Sequence, residues 1–204
     1  MQKIKDALVW IDCEMTGLDP KKDELIEVAA IVTDSELSPV DQGIDVLIKP
    51  SQRALDGMSD FVRNMHKTSG LLVDLESAPD DMEAAQQQVL DYIAQYTEPG
   101  KALLAGNSVG MDRLFLSEYM PKVIDHLHYR LIDVSSIKEL AKRWYPKAFY
   151  QAPSKLGGHR ALGDIQDSIA ELKYYRATVM ANKTLHTAQY MEAAKTVADW
   201  RQQL

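Results

Sequence analysis

Apolar and polar positions along this chain follow two rhythms. Ala7 to Asp12 is a short apolar run, and Leu25 to Thr33 (LIEVAAIVT) is a longer one rich in Val, Ile and Ala, which predicts two strands. Thr16-Gly17-Leu18-Asp19-Pro20 forms a turn cluster between them. Ser35 to Gln42 contains Pro39 and separates the second strand from a third at Gly43 to Lys49, so the three read as an antiparallel meander. Helical patterns follow at Ser59 to His66, Pro79 to Tyr96, Met111 to Tyr119, Ser135 to Trp144 and Ala161 to Met180, with short strands at Ala102 to Ala105 and Tyr129 to Asp133 between them. Strands followed by helices and further strands predict an α/β domain with a mixed central sheet flanked by helices.

In the last of these helices, Leu162, Ile165, Ile169, Leu172 and Val179 keep the 3-4 spacing of a stripe that faces a core, interrupted only by Arg176. Trp144, with Leu140 four residues earlier, reads as another core pair. Residues 183–204 add a polar helical pattern of weaker amphipathicity, so the reading is one domain over 1–180 and a helical extension over 181–204 with no assigned role.

Chemistry enters with the acids. Asp12 and Glu14 lie two residues apart at the end of the first strand, where alternation turns both to one face. Two carboxylates 4 Å apart repel by roughly 4 kcal/mol at an effective dielectric of 20, so such a pair calls for a cation between them. Asp112 opens a helix after the two-glycine turn Gly106 to Gly110, and Asp164 lies in the first turn of the long helix; each taken alone fits an acid favoured by the helix dipole. His159 follows Gly157-Gly158, a pair that gives its loop the freedom to bring it to the same site as Asp164. Carboxylates together with a histidine are the parts of metal-assisted hydrolysis, in which two Mg²⁺ ions ~3.5–4 Å apart stabilise the attacking and leaving oxygens. Cys13, between the two acids on the opposite strand face, reads as a small buried hydrophobe.

Composition narrows the setting. The 204 residues carry a net charge of -7, and no apolar run approaches the ~20 residues of a membrane span. One cysteine and an N-terminus (Met1 to Asp6) without an apolar leader suggest a cytoplasmic protein. The charge is split: residues 1–100 hold 8 Lys/Arg and 20 Asp/Glu, residues 101–204 hold 15 and 10. An acidic total counts against a long polyanionic partner. Lys138, Lys142, Arg143, Lys147, Lys155 and Arg160, however, could form a phosphate-attracting rim before and beside His159, or a merely solvated helix and loop.

Three segments, Trp10-Ile11-Asp12-Cys13-Glu14-Met15-Thr16-Gly17-Leu18, Gly106-Asn107-Ser108 leading to Asp112-Arg113, and His159-x4-Asp164, resemble the motifs of the DEDDh group of 3'-to-5' exonucleases. Glu14-Met15-Thr16-Gly17-Leu18, His128-Tyr129-Arg130, Asp133-Val134-Ser135 and Lys138-Glu139-Leu140-x3-Trp144 are closer still to the oligoribonuclease family within it. The resemblance covers about residues 5–180 and implies a ribonuclease-H-like exonuclease fold. It implies that Asp12, Glu14, Asp112 and Asp164 hold two Mg²⁺ or Mn²⁺ ions and that His159 is the general base. It further implies that Leu18 wedges against the bases, with Phe61 and His66 on the substrate side. Ser108, Arg130 and Ser135 would cap a terminal 5'-phosphate, and Tyr129 would reach into the partner of a homodimer. Its substrates would be very short oligoribonucleotides, down to dinucleotides, cut to 5'-mononucleotides. Phe61 stands where the family usually has tryptophan, and Gly163 where an aspartate is expected. A proofreading-type DNA exonuclease and a catalytically weak nucleotide-binding adaptor are the rival readings.

Overall fold

The computed structural model describes residues 3–154 and 158–180, and singly 189, 191 and 194. The extension read over 181–204 therefore lies almost wholly outside the described residues, as does Lys155 of the basic stretch. In chain order the elements are β1 (Leu8–Met15), β2 (Leu25–Thr33), β3 (Ile44–Leu47), α1 (Gln52–Gly57), α2 (Asp60–Thr68), α3 (Leu71–Asp74) and a 3-10 turn (Leu75–Ser77). They continue with α4 (Met82–Tyr96), β4 (Leu103–Gly106), α5 (Gly110–Tyr119), α6 (Pro121–His126), β5 (His128–Asp133), α7 (Val134–Trp144), α8 (Pro146–Tyr150) and α9 (Ala161–Thr178).

The strands form one sheet in the order β3-β2-β1-β4-β5. β1, β2 and β3 pair antiparallel as the expected meander, while β4 and β5 join parallel to β1. β2 is buried along its whole length, which matches its nearly unbroken apolar sequence. Side chains alternate between two cores. Val9, Ile11 and Cys13 face a cluster shared with α4, α5 and α6, while Trp10, Ala29, Ile31 and Ala105 face Val134, Ile165, Ile169 and Leu172 of α7 and α9. Asp12 and Glu14 follow the parity of Trp10, so both stand on the face that α9 covers. A third, smaller cluster of Ile26, Met58, Leu71, Leu75 and Ala78 roots α1 to α3 on the start of β2.

Two expectations need correction. β1 runs on to Met15, past the apolar run that ends at Asp12, with a register shift at Glu14/Met15, so both acids lie within the strand. Trp144 is not core: it is 66% exposed, and Leu140 44%. On α7 the inward stripe is Val134, Ile137 and Ala141, and Leu140 and Trp144 wind past its flank, where none of the described residues covers them. The α9 stripe is buried at Ile165, Ile169 and Leu172 as read, helped by Tyr175.

Candidate active site

The site lies at the carboxyl ends of the parallel strands, the usual location of a ligand cleft in an open α/β sheet. There β4 leaves β1. The pairing of the two strands stops at Trp10 with Ala105. Gly106 makes the departure: a Cβ there would sit 3.1 Å from the Ile11 carbonyl oxygen. With β4 gone, the Cys13 amide is taken by a side chain instead, donating to Asp112 Oδ1 at 3.0 Å from the first turn of α5.

Asp12, Glu14 and Asp164 each offer an oxygen within 4.8 Å of the others. Alternation on β1 supplies the first two, and the first turn of α9, laid across that face, supplies the third. Asp112 is not in this trio; it is 6% exposed and stands behind it, against Cys13. Burial, then the charges of Glu27, Asp164 and Asp112, push Glu14 up to about 8. Burial likewise pushes Asp112 up to about 7, against the stabilising hydrogen bonds it accepts. Carboxylates that resist ionisation beside one another are satisfied by a divalent cation, so this donor set suits a hard metal. Burial and the surrounding acids raise the Cys13 thiol well above its usual range, which fits a packed side chain and not a nucleophile.

One cavity of about 530 Å³ is lined by Asp12, Glu14, Asp164, His159, Ser108 and Ser135, joined by Asn107, Lys138 and Ser168. His159 enters it from a left-handed backbone, φ +56°. Ser108 is also left-handed, φ +53°, and Asp133 holds it there: Asp133 Oδ1 accepts from the amides of Ser108 (2.9 Å) and Ser135 (3.0 Å). The two serine hydroxyls meet at 3.0 Å, and Ser135 donates to Asn107 Oδ1. Asn107 in turn donates to Ser168 and Glu171 of α9, and Lys138 pairs with Glu171 at 2.9 Å.

A second cavity, about 610 Å³, adjoins the first at Glu14 and is walled by Leu18, Phe61, Val62 and Met65. Leu18 (70% exposed) and Phe61 (77%) project there as bare apolar surfaces. The turn that carries Leu18 packs Gly17 against the Asp23 carboxylate, which a Cβ would meet at 2.3 Å and would have to displace. His66 is fully buried beneath this region; one ring nitrogen is 2.8 Å from the Met15 carbonyl oxygen and the other 3.8 Å from Glu14 Oε2. It thus backs Glu14 and does not face open solvent.

Tyr129 and Arg130 are not brought to the cavity. They stand exposed on the edge strand β5, with the Arg130 guanidinium 5.4 Å from the Tyr129 ring centre. Four of the described cations of the basic stretch are engaged by neighbouring groups. Arg160 is tied to Glu27 and Asp74, Lys138 to Glu171, Arg143 to Glu139, and the Lys142 ammonium lies over Phe149. Three contributors went unread in the sequence. Ser168 and Glu171 follow Asp164 by four and seven residues, a helical spacing that puts them on its face. Glu27 is the one carboxylate in an otherwise apolar strand.

The Exonuclease family model matches residues 9–172, so the chain carries an exonuclease domain. Its fold agrees. Exonuclease I from Methylocaldum szegediense superposes with a TM-score of 0.60 at 18% identity, over 85% of this chain and 41% of that one. An E. coli exonuclease I–single-stranded DNA complex superposes with a TM-score of 0.64 at 16% identity, over 86% and 40%. The chain thus spans about two fifths of those structures and shares their ribonuclease-H-like fold. More particularly, it is 60% identical over 174 residues to an oligoribonuclease of Cutibacterium acnes, covering 85% of this chain and 86% of that one. It is 49% identical over 201 residues to an oligoribonuclease of Leifsonia xyli subsp. xyli, covering 98% and 97%. The chain belongs to the oligoribonuclease family of exonucleases.

Proposed function

We propose that this chain is a 3'-to-5' exoribonuclease that removes 5'-mononucleotides from very short oligoribonucleotides, down to dinucleotides, with two Mg²⁺ or Mn²⁺ ions held by Asp12, Glu14, Asp112 and Asp164. The observation that carries the reading is the meeting of the Asp12, Glu14 and Asp164 oxygens with His159 and a serine pair in one cavity. Bound there, the ions would neutralise the phosphodiester and stabilise the developing charge on the oxygens of the displacement.

The chain's own groups would do the rest. His159 takes a proton from the attacking water as the water oxygen bonds to phosphorus and the bond to the 3'-oxygen of the preceding nucleotide breaks. Leu18 and Phe61 offer apolar faces to the bases. Ser108 and Ser135, fixed by Asp133, present hydroxyls to a terminal 5'-phosphate. In a homodimer the partner's edge strand would bring Tyr129 and Arg130 to that end of the substrate. The exposed Trp144 and Leu140 give such a dimer an apolar surface to bury. Among the described residues no helix is long and apolar enough to cross a membrane, and we place the activity in the cytoplasm.

The test is turnover of a 5'-phosphorylated diribonucleotide with Mg²⁺, set against a 20-mer RNA and a DNA strand. The dinucleotide should be the better substrate, EDTA should abolish hydrolysis, and Asp112→Asn should lower kcat by about 10³-fold or more. Faster cleavage of the DNA 20-mer would favour a proofreading-type enzyme, and tight dinucleotide binding without turnover would favour an adaptor.

A further inference from the structure

From the sequence Arg160 reads either as a rim cation or as a merely solvated one, but the structure turns it inward. Its Nε donates to Glu27 Oε1 at 2.8 Å, its Nη1 to Asp74 Oδ2 at 2.7 Å, and its Nη2 lies 4.0 Å from Asp45 Oδ2. Three elements, β2, β3 and the end of α3, therefore hold one guanidinium. Glu27 is fully buried and directly opposite Glu14 in the β1–β2 register, so the two carboxylates stand side by side on the same face of the sheet. The second Glu27 oxygen accepts the Ala161 amide at 3.3 Å. That bond satisfies an amide at the start of α9, whose N-cap residue, Arg160, makes no side-chain cap of its own. Main chain and side chain of this corner are thus gripped by one carboxylate.

The residues on either side of the grip are the reactive ones. His159 immediately precedes Arg160 and is held in a left-handed backbone that a non-glycine residue keeps only when its surroundings fix it. Asp164 donates its amide to the Arg160 carbonyl at 3.1 Å, so the first turn of α9 is laid down from Arg160. Removing the guanidinium would leave Glu27 as a buried, unpaired charge beside Glu14.

We propose that Arg160, gripped by Glu27 and Asp74, is a positioning residue for the hydrolytic reaction: it sets the corner from which His159 and Asp164 reach the phosphodiester, and it does not itself contact substrate. The inference rests on the exoribonuclease reading, and two readouts keep the two apart. Turnover of a 5'-phosphorylated diadenylate by the wild-type protein tests that reading alone. The ring NMR signals of His159 in metal-free protein, assigned against His159→Ala, test the corner without any turnover.

Because displacements of about 1 Å can cost about 10²-fold in rate, Arg160→Ala should lower kcat by about 50-fold or more while KM stays within about threefold. It should also shift the His159 ring signals. Arg160→Lys, which keeps one contact to Glu27, should recover about fivefold or more of that loss, and Asp74→Asn should cost about three- to tenfold in kcat. Arg176→Ala, at the far end of α9, should change neither readout. A rise in KM with kcat retained would make Arg160 a substrate contact and overturn the proposal, as would unmoved His159 signals in Arg160→Ala. If Arg160→Ala does not fold, kcat values within about twofold of wild type in both Arg160→Lys and Asp74→Asn overturn it.

Discussion

Raising the pH of the chelated protein from about 6.5 to about 8 should destabilise it, and Mg²⁺ or Mn²⁺ should cancel the effect. Glu14 is pushed up to about 8 and Asp112 to about 7 by burial and neighbouring charge. A carboxyl whose folded pKa lies above its unfolded one keeps in the folded state a proton that the unfolded chain has released. Its contribution to stability is full below the unfolded pKa and is lost as pH rises through the folded pKa. At 1.36 kcal/mol per pH unit, the 1.5 units up to about 8 give about 2 kcal/mol for Glu14, and Asp112 adds under about 1 kcal/mol. His66 and His126, lowered by burial, act with the opposite sign, since a buried neutral histidine gains stability as pH rises; the unfolded imidazole is half deprotonated at about 6.5, so between there and about 8 each still returns no more than about 0.4 kcal/mol. Set against the carboxyl contribution, this leaves a net fall of about 1.5–2 kcal/mol. For a chain of this size it lowers Tm by roughly 3–8 °C. Differential scanning calorimetry in EDTA reads it directly. Saturating divalent ion, which binds the ionised carboxylates, should flatten or reverse the slope, and Glu14→Gln should remove most of it without metal. A Tm that stays level or rises over this range in the chelated wild-type protein would refute the account of why these carboxylates need a cation.

Other consequences are read by simpler assays. Phe61→Ala should raise KM for a dinucleotide by about 5- to 100-fold, the worth of one base stack, with kcat little changed; equal losses in kcat would move Phe61 into the chemical step. Asp133→Ala removes the acceptor that orders both Ser108 and Ser135. It should cost about 1 kcal/mol as a lost helix cap and reduce the preference in kcat/KM for 5'-phosphorylated over unphosphorylated dinucleotide. Trp144→Glu should leave the monomer folded, because the side chain is exposed, but, if the chain dimerises as proposed, shift sedimentation from dimer toward monomer; an unchanged sedimentation coefficient would remove this face from the proposed interface.

Much of the framework was legible because local pattern and tertiary demand coincide. LIEVAAIVT is buried on both faces of the sheet, so its apolar run ends where strand β2 ends. Asp12 and Glu14 share a face by alternation alone, whatever packs above them. What could not be read depends on contacts far apart in sequence. The burial of His66 follows from how α2 settles over the end of β1, 51 residues earlier. Trp144 has the right spacing from Leu140 for a core pair, but helical periodicity tells which residues share a face and not whether that face is covered by the same chain. Arg160 looked like one more solvated cation in a basic stretch, and its partner Glu27 lies 133 residues away. A lone glutamate in an apolar strand was the available hint, since burying such a charge demands a counter-ion.

The early departure of β4 from β1 has a further consequence for how this sheet can vary. A complete parallel ladder and an open cleft compete for the same backbone amide. Were β4 to run on beside β1 toward Cys13, its carbonyls would compete for the Cys13 amide that Asp112 now holds, and the sheet would gain a rung where the cleft stands. Changes of loop length between Gly106 and Gly110 should therefore be tolerated poorly even though the loop is at the surface. The sheet stays a rung short at this point, and the gap is the floor of the candidate site.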